Sequence, residues 1–285
     1  MYNIHQSHYD KIFCMSQKTS FVKMHGLGND FVIINQENLP ENCNLTLLAE
    51  KIANRYTGIG CDQFITYKQI QNTNSYEMNI YNLDGSSAKA CGNGSRCLAK
   101  LIFMKTGAKE INLTVLERDF PCVIENENYV SVNMGKVSFK EAWMPSTEQL
   151  WDIAKLYMIE PKEMICVDIG NPHLVIFSNL AIQDKELIGE KLQRSELFAD
   201  GVNVSFASIE GHKINLSVFE RGTGFTYACG SGACATFAAA LKLKFASSAA
   251  EIVFKLGSLD MFIDQENIIM KGAASFVIVG EFYHD

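Results

Sequence analysis

An α+β fold of two similar halves is what this sequence predicts, each half a barrel-like, mostly antiparallel β-sheet wrapped around one buried helix, with a site in the cleft between them. Three observations predict it. The chain carries a long internal repeat, its apolar segments are short and bounded by turn residues, and two helices directly follow near-identical cysteine-glycine motifs.

The repeat is read directly from the residues. Ala90-Cys91-Gly92-Asn93-Gly94-Ser95 matches Ala228-Cys229-Gly230-Ser231-Gly232-Ala233, an offset of 138 residues from Cys91 to Cys229. The same offset pairs Met78-Asn79-Ile80-Tyr81 with Leu216-Ser217-Val218-Phe219. Gly28-Asn29 and the apolar run 31–34 echo Gly170-Asn171 and 174–177, and Gly60-Cys61-Asp62-Gln63-Phe64 loosely echoes Gly201-Val202-Asn203 and Phe206. Four matches in one order at nearly constant spacing place one half at residues 1–133 with 274–285 and the other at 134–273. Residues 1–20 read as a weakly structured extension, within which Met15 is an alternative start.

Taken in order, strands are expected at 31–35, 62–68, 76–82, 111–117, 121–126 and 129–134, then at 164–169, 173–178, 202–209, 213–220, 251–256, 261–264, 268–271 and 275–282. Helices are fewer: 45–56 behind an Asn44 cap, 146–156 behind a Ser-Thr-Glu start, and roughly 93–105 and 231–245 behind the two cysteine motifs. The last has no polar face, and a helix apolar all round is a buried one. Its small residues would let strands approach on every side.

With 47% apolar and 20% charged residues the chain can bury one or two cores. A net charge of −7 without a Lys/Arg run argues against nucleic acid. The longest apolar runs, such as 276–280, are too short to span a membrane. None of the nine cysteines forms a C-x-x-C pair, which disfavours a zinc ribbon or thioredoxin motif. The first twenty residues lack an apolar leader segment, so free thiols in a reducing cytoplasm are expected.

Each motif cysteine precedes Gly-x-Gly and a helix start, where unpaired N–H groups and the helix dipole favour negative charge. A thiolate there is expected to have a lowered pKa, and the glycines expose N–H groups to a carboxylate. Two such starts facing one small anion would leave a thiol on each side of its α-carbon. That suits inversion of a stereocentre, which needs a base on one face and an acid on the other. No lysine Schiff-base signature is evident, so the reaction is expected to run without a cofactor, the carbanion being stabilised by N–H donors and exclusion of water.

With these residues in view, the chain resembles the diaminopimelate epimerase family, within the two-cysteine, cofactor-independent racemases and epimerases, from about Phe21 to the C-terminus. The matching segments begin at Lys23-Met24-His25-Gly26-Leu27-Gly28-Asn29-Asp30-Phe31 and Gly58-Ile59-Gly60-Cys61-Asp62-Gln63. They continue through Asn82-Leu83-Asp84-Gly85-Ser86, Cys91 to Cys97, Gly170-Asn171-Pro172-His173 and Gly201-Val202-Asn203. The last is Glu220-Arg221-Gly222, running into Ala228 to Cys234. The resemblance implies conversion of LL-diaminopimelate to the meso isomer, serving lysine and peptidoglycan synthesis, with domains that close on the substrate. Cys91 and Cys229 match the catalytic cysteines. The N–H groups of Gly92, Asn93, Gly230 and Ser231 would hold the reacting carboxylate. Asn29, Gln63, Asn82, Asn171, Asn203, Glu220 and Arg221 match residues lining the substrate site, and Arg221 can take a carboxylate bidentately. Members of the family often pair as homodimers, though no stretch here identifies an interface. Phe225 stands where Glu is common, and Leu83 where Ala is usual.

The plainer readings set the contrast. Cys97 and Cys234 fall inside the helices and are expected in the core; Cys14, Cys43, Cys61, Cys122 and Cys166 carry no motif. The spacing of Cys91/Cys97 and Cys229/Cys234 does not suit a metal, so none is expected. His173 reads first as a buried, hydrogen-bonded histidine and second as an auxiliary that polarises a cysteine. Asp62 and Asp84 read as turn residues. The rival functions are a proline, hydroxyproline or histidine racemase, a related isomerase without the thiol pair, and a non-catalytic amino-acid-binding protein. The polar set Asn82, Asn171, Asn203 and Arg221 discriminates against the first, because a one-centred substrate has no use for it.

Overall fold

The computed structural model describes residues 17–71 and 73–284. Residues 1–16 of the expected extension, with Cys14 and Met15, lie outside that range. Residues 17–20 depart from expectation, for they open a strand. The first set of elements is β1 (Gln17–Gly26), β2 (Asn29–Asn35), α1 (Leu45–Ala53), β3 (Gln63–Gln69), β4 (Ser75–Tyr81), α2 (Gly92–Thr106), β5 (Glu110–Val115), β6 (Arg118–Ile124) and β7 (Tyr129–Asn133). After α3 (Thr147–Leu156) come β8 (Met164–Asp168), β9 (Pro172–Phe177), α4 (Ile182–Gln193), β10 (Asn203–Glu210), β11 (Lys213–Glu220), the two-residue β12 (Gly224–Phe225), α5 (Gly230–Lys242), β13 (Ala249–Phe254), β14 (Gly257–Asp264), β15 (Asn267–Ala273) and β16 (Ser275–His284).

Among the described residues the strands form one continuous sheet in the order β16-β1-β2-β3-β4-β5-β6-β7-β15-β14-β13-β11-β10-β9-β8, with β12 beside β11. The repeat is visible in its pairing. β2 is parallel to β3 and β4 to β5, with β3 and β4 antiparallel. In the same pattern β9 is parallel to β10 and β11 to β13, with β10 and β11 antiparallel. Register follows too: Ser75 lies opposite Asn112, and Lys213 opposite Glu251. Each parallel connection needs a crossover, and helices supply them: α1 and α4 for the first parallel pair of each set, α2 and α5 for the second. The two sets meet where β7 pairs with β15, and the chain returns to the first set when β16 pairs with β1.

Helices α2 and α5 lie inside. Residues 92–102 of α2 and 232–240 of α5 are buried almost without a break, and Cys97, Cys234 and Phe237 are fully so. One apolar core contains both helices, while smaller clusters lie under α1 and between α3, α4 and β8–β10. Burying a Leu, Ile or Phe stabilises the fold by about 1.5–3 kcal/mol, so this central core carries most of the stability. The caps anticipated from sequence are present: Asn44 accepts from Leu47 N–H, and Ser146 forms a reciprocal capping box with Gln149.

Candidate active site

Both helix starts are capped by sulfur. Cys91 is the N-cap of α2, with Sγ accepting from Gly94 N–H at 3.4 Å. Cys229 is the N-cap of α5 and accepts from Gly232 N–H, also at 3.4 Å. In each case the residue that follows is Gly, and a Cβ there would meet a neighbour. One on Gly92 would fall 2.2 Å from Met270 Cε, and one on Gly230 would fall 3.5 Å from Met270 Sδ. Met270, on β15, therefore packs beneath both starts.

The two starts lie side by side. A Cβ on Gly230 would also sit 3.6 Å from the backbone nitrogen of Asn93, and Asn93 Nδ2 reaches Ala228 O at 3.5 Å. Asn29 joins the first start: its Oδ1 accepts from Asn93 Nδ2 at 3.2 Å and lies 3.9 Å from Cys91 Sγ. Asp62, a turn residue in the sequence reading, fixes Asn29 by accepting from its Nδ2 at 2.9 Å. Asp62 is held by Arg55, which also grips Asp30 with two nitrogens, and Lys23 lies 3.0 Å from Asp30. Burial pushes the Asp30 carboxyl up, but bonds from Arg55 and Lys23 outweigh it and hold the group below the usual carboxylate range.

The second start has its own set. Ser231 Oγ lies 3.4 Å from Cys229 Sγ, 3.0 Å from His173 Nε2 and 3.4 Å from Asn171 Nδ2. His173 is fully buried, and its Nδ1 has no partner among the described residues. Burial pulls its pKa down to about 3, so the ring is neutral at ordinary pH. Glu220, at the end of β11, accepts from Thr226 Oγ1 and hydrogen-bonds with the Cys229 thiol. Its carboxyl is raised by burial, against the pull of those two bonds.

The thiols correct one expectation. Burial pushes Cys91 up to about 11, with Glu220 adding to the rise, against Gly94 N–H and Arg96, which lower it. Cys229 is raised well above an ordinary thiol by burial and by Glu220, although Ser231 and Gly232 N–H pull the other way. Removing a thiolate from water costs more here than one helix start returns. Burial thus favours the neutral thiol at both cysteines.

The other sequence-derived residues sit as follows. Gln63, at the start of β3, donates to Asn82 Oδ1 at 2.9 Å, and Asn82 donates to Ser86 Oγ at 3.1 Å. Asn203 donates to Pro172 O at 3.0 Å and accepts from Arg221 N–H at 2.9 Å. Arg221 is exposed, with Nη1 on Asp200 O at 2.6 Å rather than on a carboxylate. Gln63, Asn82 and Arg221 make no hydrogen bond to either cysteine. Phe225 packs edge-on to Phe219 at 5.2 Å and against Phe206 at 6.4 Å, tying the segment before Cys229 to β10 and β11. Leu83 is exposed. Among the described residues, no group of three His, Cys, Asp or Glu is arranged to hold a metal ion, and no helix is long and apolar enough to cross a membrane. Sequence reading missed Asp62, Thr226 and the hydroxyl of Ser231 as site residues. A carboxylate or hydroxyl one step behind the reacting group leaves no spacing signature.

Comparison with known proteins fits this geometry. The family model for diaminopimelate epimerase matches residues 21–140 and 165–277. The diaminopimelate epimerase of Rickettsia felis is 59% identical over 269 residues, covering 94% of this chain and 99% of that protein. Among solved structures, a predicted epimerase from Pseudomonas aeruginosa superposes with a TM-score of 0.70 at 12% identity, covering 94% of this chain and 100% of that one. A hydroxyproline epimerase from Agrobacterium vitis does so with a TM-score of 0.67 at 10% identity, covering 94% and 92%. At such identities the structural likeness concerns the fold alone. The sequence matches settle the family: this chain belongs to the diaminopimelate epimerases.

Proposed function

We propose that this chain inverts one α-carbon of LL-2,6-diaminopimelate to give the meso isomer, using Cys91 and Cys229 as the acid/base pair and no cofactor. The carrying observation is the pair of adjacent helix starts, each capped by a sulfur and each followed by glycine. The N–H groups of Gly92, Asn93, Gly230 and Ser231 receive the carboxylate of the reacting centre. One thiol, as thiolate, removes the α-proton from one face, and the other delivers its own proton to the opposite face. The carbon is inverted, and the thiol and thiolate exchange places. Burial holds both cysteines as thiols, so one of them must give up its proton before it can act as the base. Glu220, which interacts with Cys229 and whose carboxyl is raised by burial, is an acceptor for the proton that must leave.

Gln63, Asn82, Asn171, Asn203 and Arg221 serve the distal amino-acid group, Arg221 after leaving the Asp200 carbonyl. His173 acts through Ser231 on Cys229. The two lobes are residues 1–133 with 274–285, and 134–273. The reaction belongs to lysine and peptidoglycan precursor synthesis in the cytoplasm, carried out by a homodimer that binds neither nucleic acid nor membrane.

The test is turnover of LL-diaminopimelate in deuterated water beside free proline, hydroxyproline and histidine. The expected result is meso product with deuterium at the inverted carbon and no turnover of the others. Faster racemisation of proline or histidine, or product without deuterium, overturns the reading. Cys91→Ala and Cys229→Ala should each lower kcat by about 10³-fold or more while leaving the thermal unfolding curve in place.

A further inference from the structure

Behind the two helix starts lies a positive charge that has no acidic partner among the described residues. Arg96, one turn into α2, is completely buried. Its Nη2 donates to Asn93 Oδ1 at 2.9 Å, its Nε to Ala273 O at 3.3 Å, and its Nη1 to Met270 Sδ at 3.4 Å. Among the described residues no carboxylate is bonded to it. The titratable groups around it are thiols: Cys91 and Cys97 on α2, Cys122 on β6 and Cys234 on α5. Two glycines cradle the guanidinium. A Cβ on Gly26 of β1 would fall 2.9 Å from Nη2, and one on Gly272 of β15 would fall 3.1 Å from Nε.

Burying an unpaired cation is costly, and an apolar side chain of similar volume would fill this space at less cost. The bonds it makes point forward. Asn93, which it orients, contributes both an N–H to the proposed carboxylate pocket and a side chain that links Asn29 to Ala228 O. Met270, its third partner, lies under Gly92 and Gly230. The charge therefore stands behind the place where the anion of the reacting centre would sit, and its missing partner is supplied when that anion arrives.

We propose that Arg96 is a positioning residue for epimerisation: it orients Asn93 at the start of α2 and supplies the fixed positive charge against which the substrate carboxylate binds and the Cys91 thiolate forms. This rests on the function proposed above. The same charge already pulls the Cys91 thiol down against its burial.

The test compares Arg96→Gln and Arg96→Lys in the full chain. Three readouts are taken: KM for LL-diaminopimelate, thermal unfolding, and the pH dependence of Cys91 alkylation by iodoacetamide, read by mass on the Cys91 peptide. Arg96→Gln should raise the apparent Cys91 pKa by about one unit and KM by about tenfold. Arg96→Lys should leave the thiol within about 0.3 unit of wild type, since the charge stays. It should still raise KM about threefold, since the fork that holds Asn93 is gone. A folded Arg96→Gln with unchanged KM and unchanged alkylation profile overturns the proposal, whatever its melting temperature. If Arg96→Gln fails to fold, Arg96→Lys decides: raised KM with an unshifted thiol supports the proposal, and unchanged KM overturns it. Alkylation needs no turnover, so failure of the wild-type chain to epimerise diaminopimelate sinks the function while the role of Arg96 is still decided by the thiol.

Discussion

Sulfur is a weak acceptor, yet in Cys91 and Cys229 it takes the position that a serine or aspartate oxygen usually holds at a helix start. The N–H groups of Gly94 and Gly232 that would favour a thiolate are therefore already aimed at the sulfurs before substrate arrives. Against that pull, burial favours the protonated thiol at both positions. Ser231 touches Cys229, His173 and Asn171 through one oxygen. Ser231→Ala would leave buried His173 without its one partner and remove a bond that favours the Cys229 thiolate. It should cost about 1–3 kcal/mol of stability, read by denaturant unfolding, and lower kcat more than it raises KM. An unchanged kcat would place Ser231 outside the chemistry.

At the scale of elements, the starts of α2 and α5 depend on close approach. A Cβ on Gly232 would fall 2.8 Å from Val218 Cγ2, and a branched side chain within a strand has little room to retreat. Gly232→Ala should therefore push α5 away from β11, costing about 1–3 kcal/mol and moving the N–H that points at Cys229. Loss of stability without loss of activity would show that the start tolerates displacement. Most elements were legible in the sequence for a related reason: short apolar runs bounded by turn residues have few other readings, and β11 runs over the expected residues 213–220. Three were not. α4 begins at Ala181 without a side-chain cap and carries Gly189 inside, so neither a start signal nor a clean pattern marks it. β1 opens with Gln17-Lys18-Thr19-Ser20, a polar stretch ordered by its backbone pairing with β16, which no local pattern reveals. β12 is two residues long and held by the rings of Phe219 and Phe206. The cysteines and glycines of the site were legible because the repeat states them twice. The lowered thiol pKa expected beside them was not met, because the sequence shows the helix start and hides the depth of burial.

Across the whole molecule, one core holding both helices makes the two repeats interdependent, and buried ionisable groups set the pH range over which it survives. His173 is neutral in the fold down to about pH 3 but protonates near 6.5 when unfolded. The unfolded state therefore binds the extra proton between those values, and stability must fall as pH drops from about 6.5 towards 3, by at most about 1.4 kcal/mol per unit for one group. At the other end, burial pushes the thiols of Cys61, Cys97, Cys166 and Cys234 up to about 12 from 9.0. The unfolded chain releases those protons first, so stability must fall as pH rises from 9 to 12. Melting temperature against pH should form a plateau from about 6.5 to 9 with a steeper alkaline edge, and His173→Gln should flatten the acid edge. A single maximum near pH 5 would contradict this assignment.

The central claim is that one thiol from each repeat faces the same carbon. Mild oxidation with diamide, followed by mass analysis of the cysteine peptides, tests it most directly. The expected result is a single disulfide joining Cys91 to Cys229, loss of activity in step with it, recovery on reduction, and protection by bound substrate. Oxidised protein that keeps full activity, or that carries each of these cysteines in a different disulfide, would contradict it.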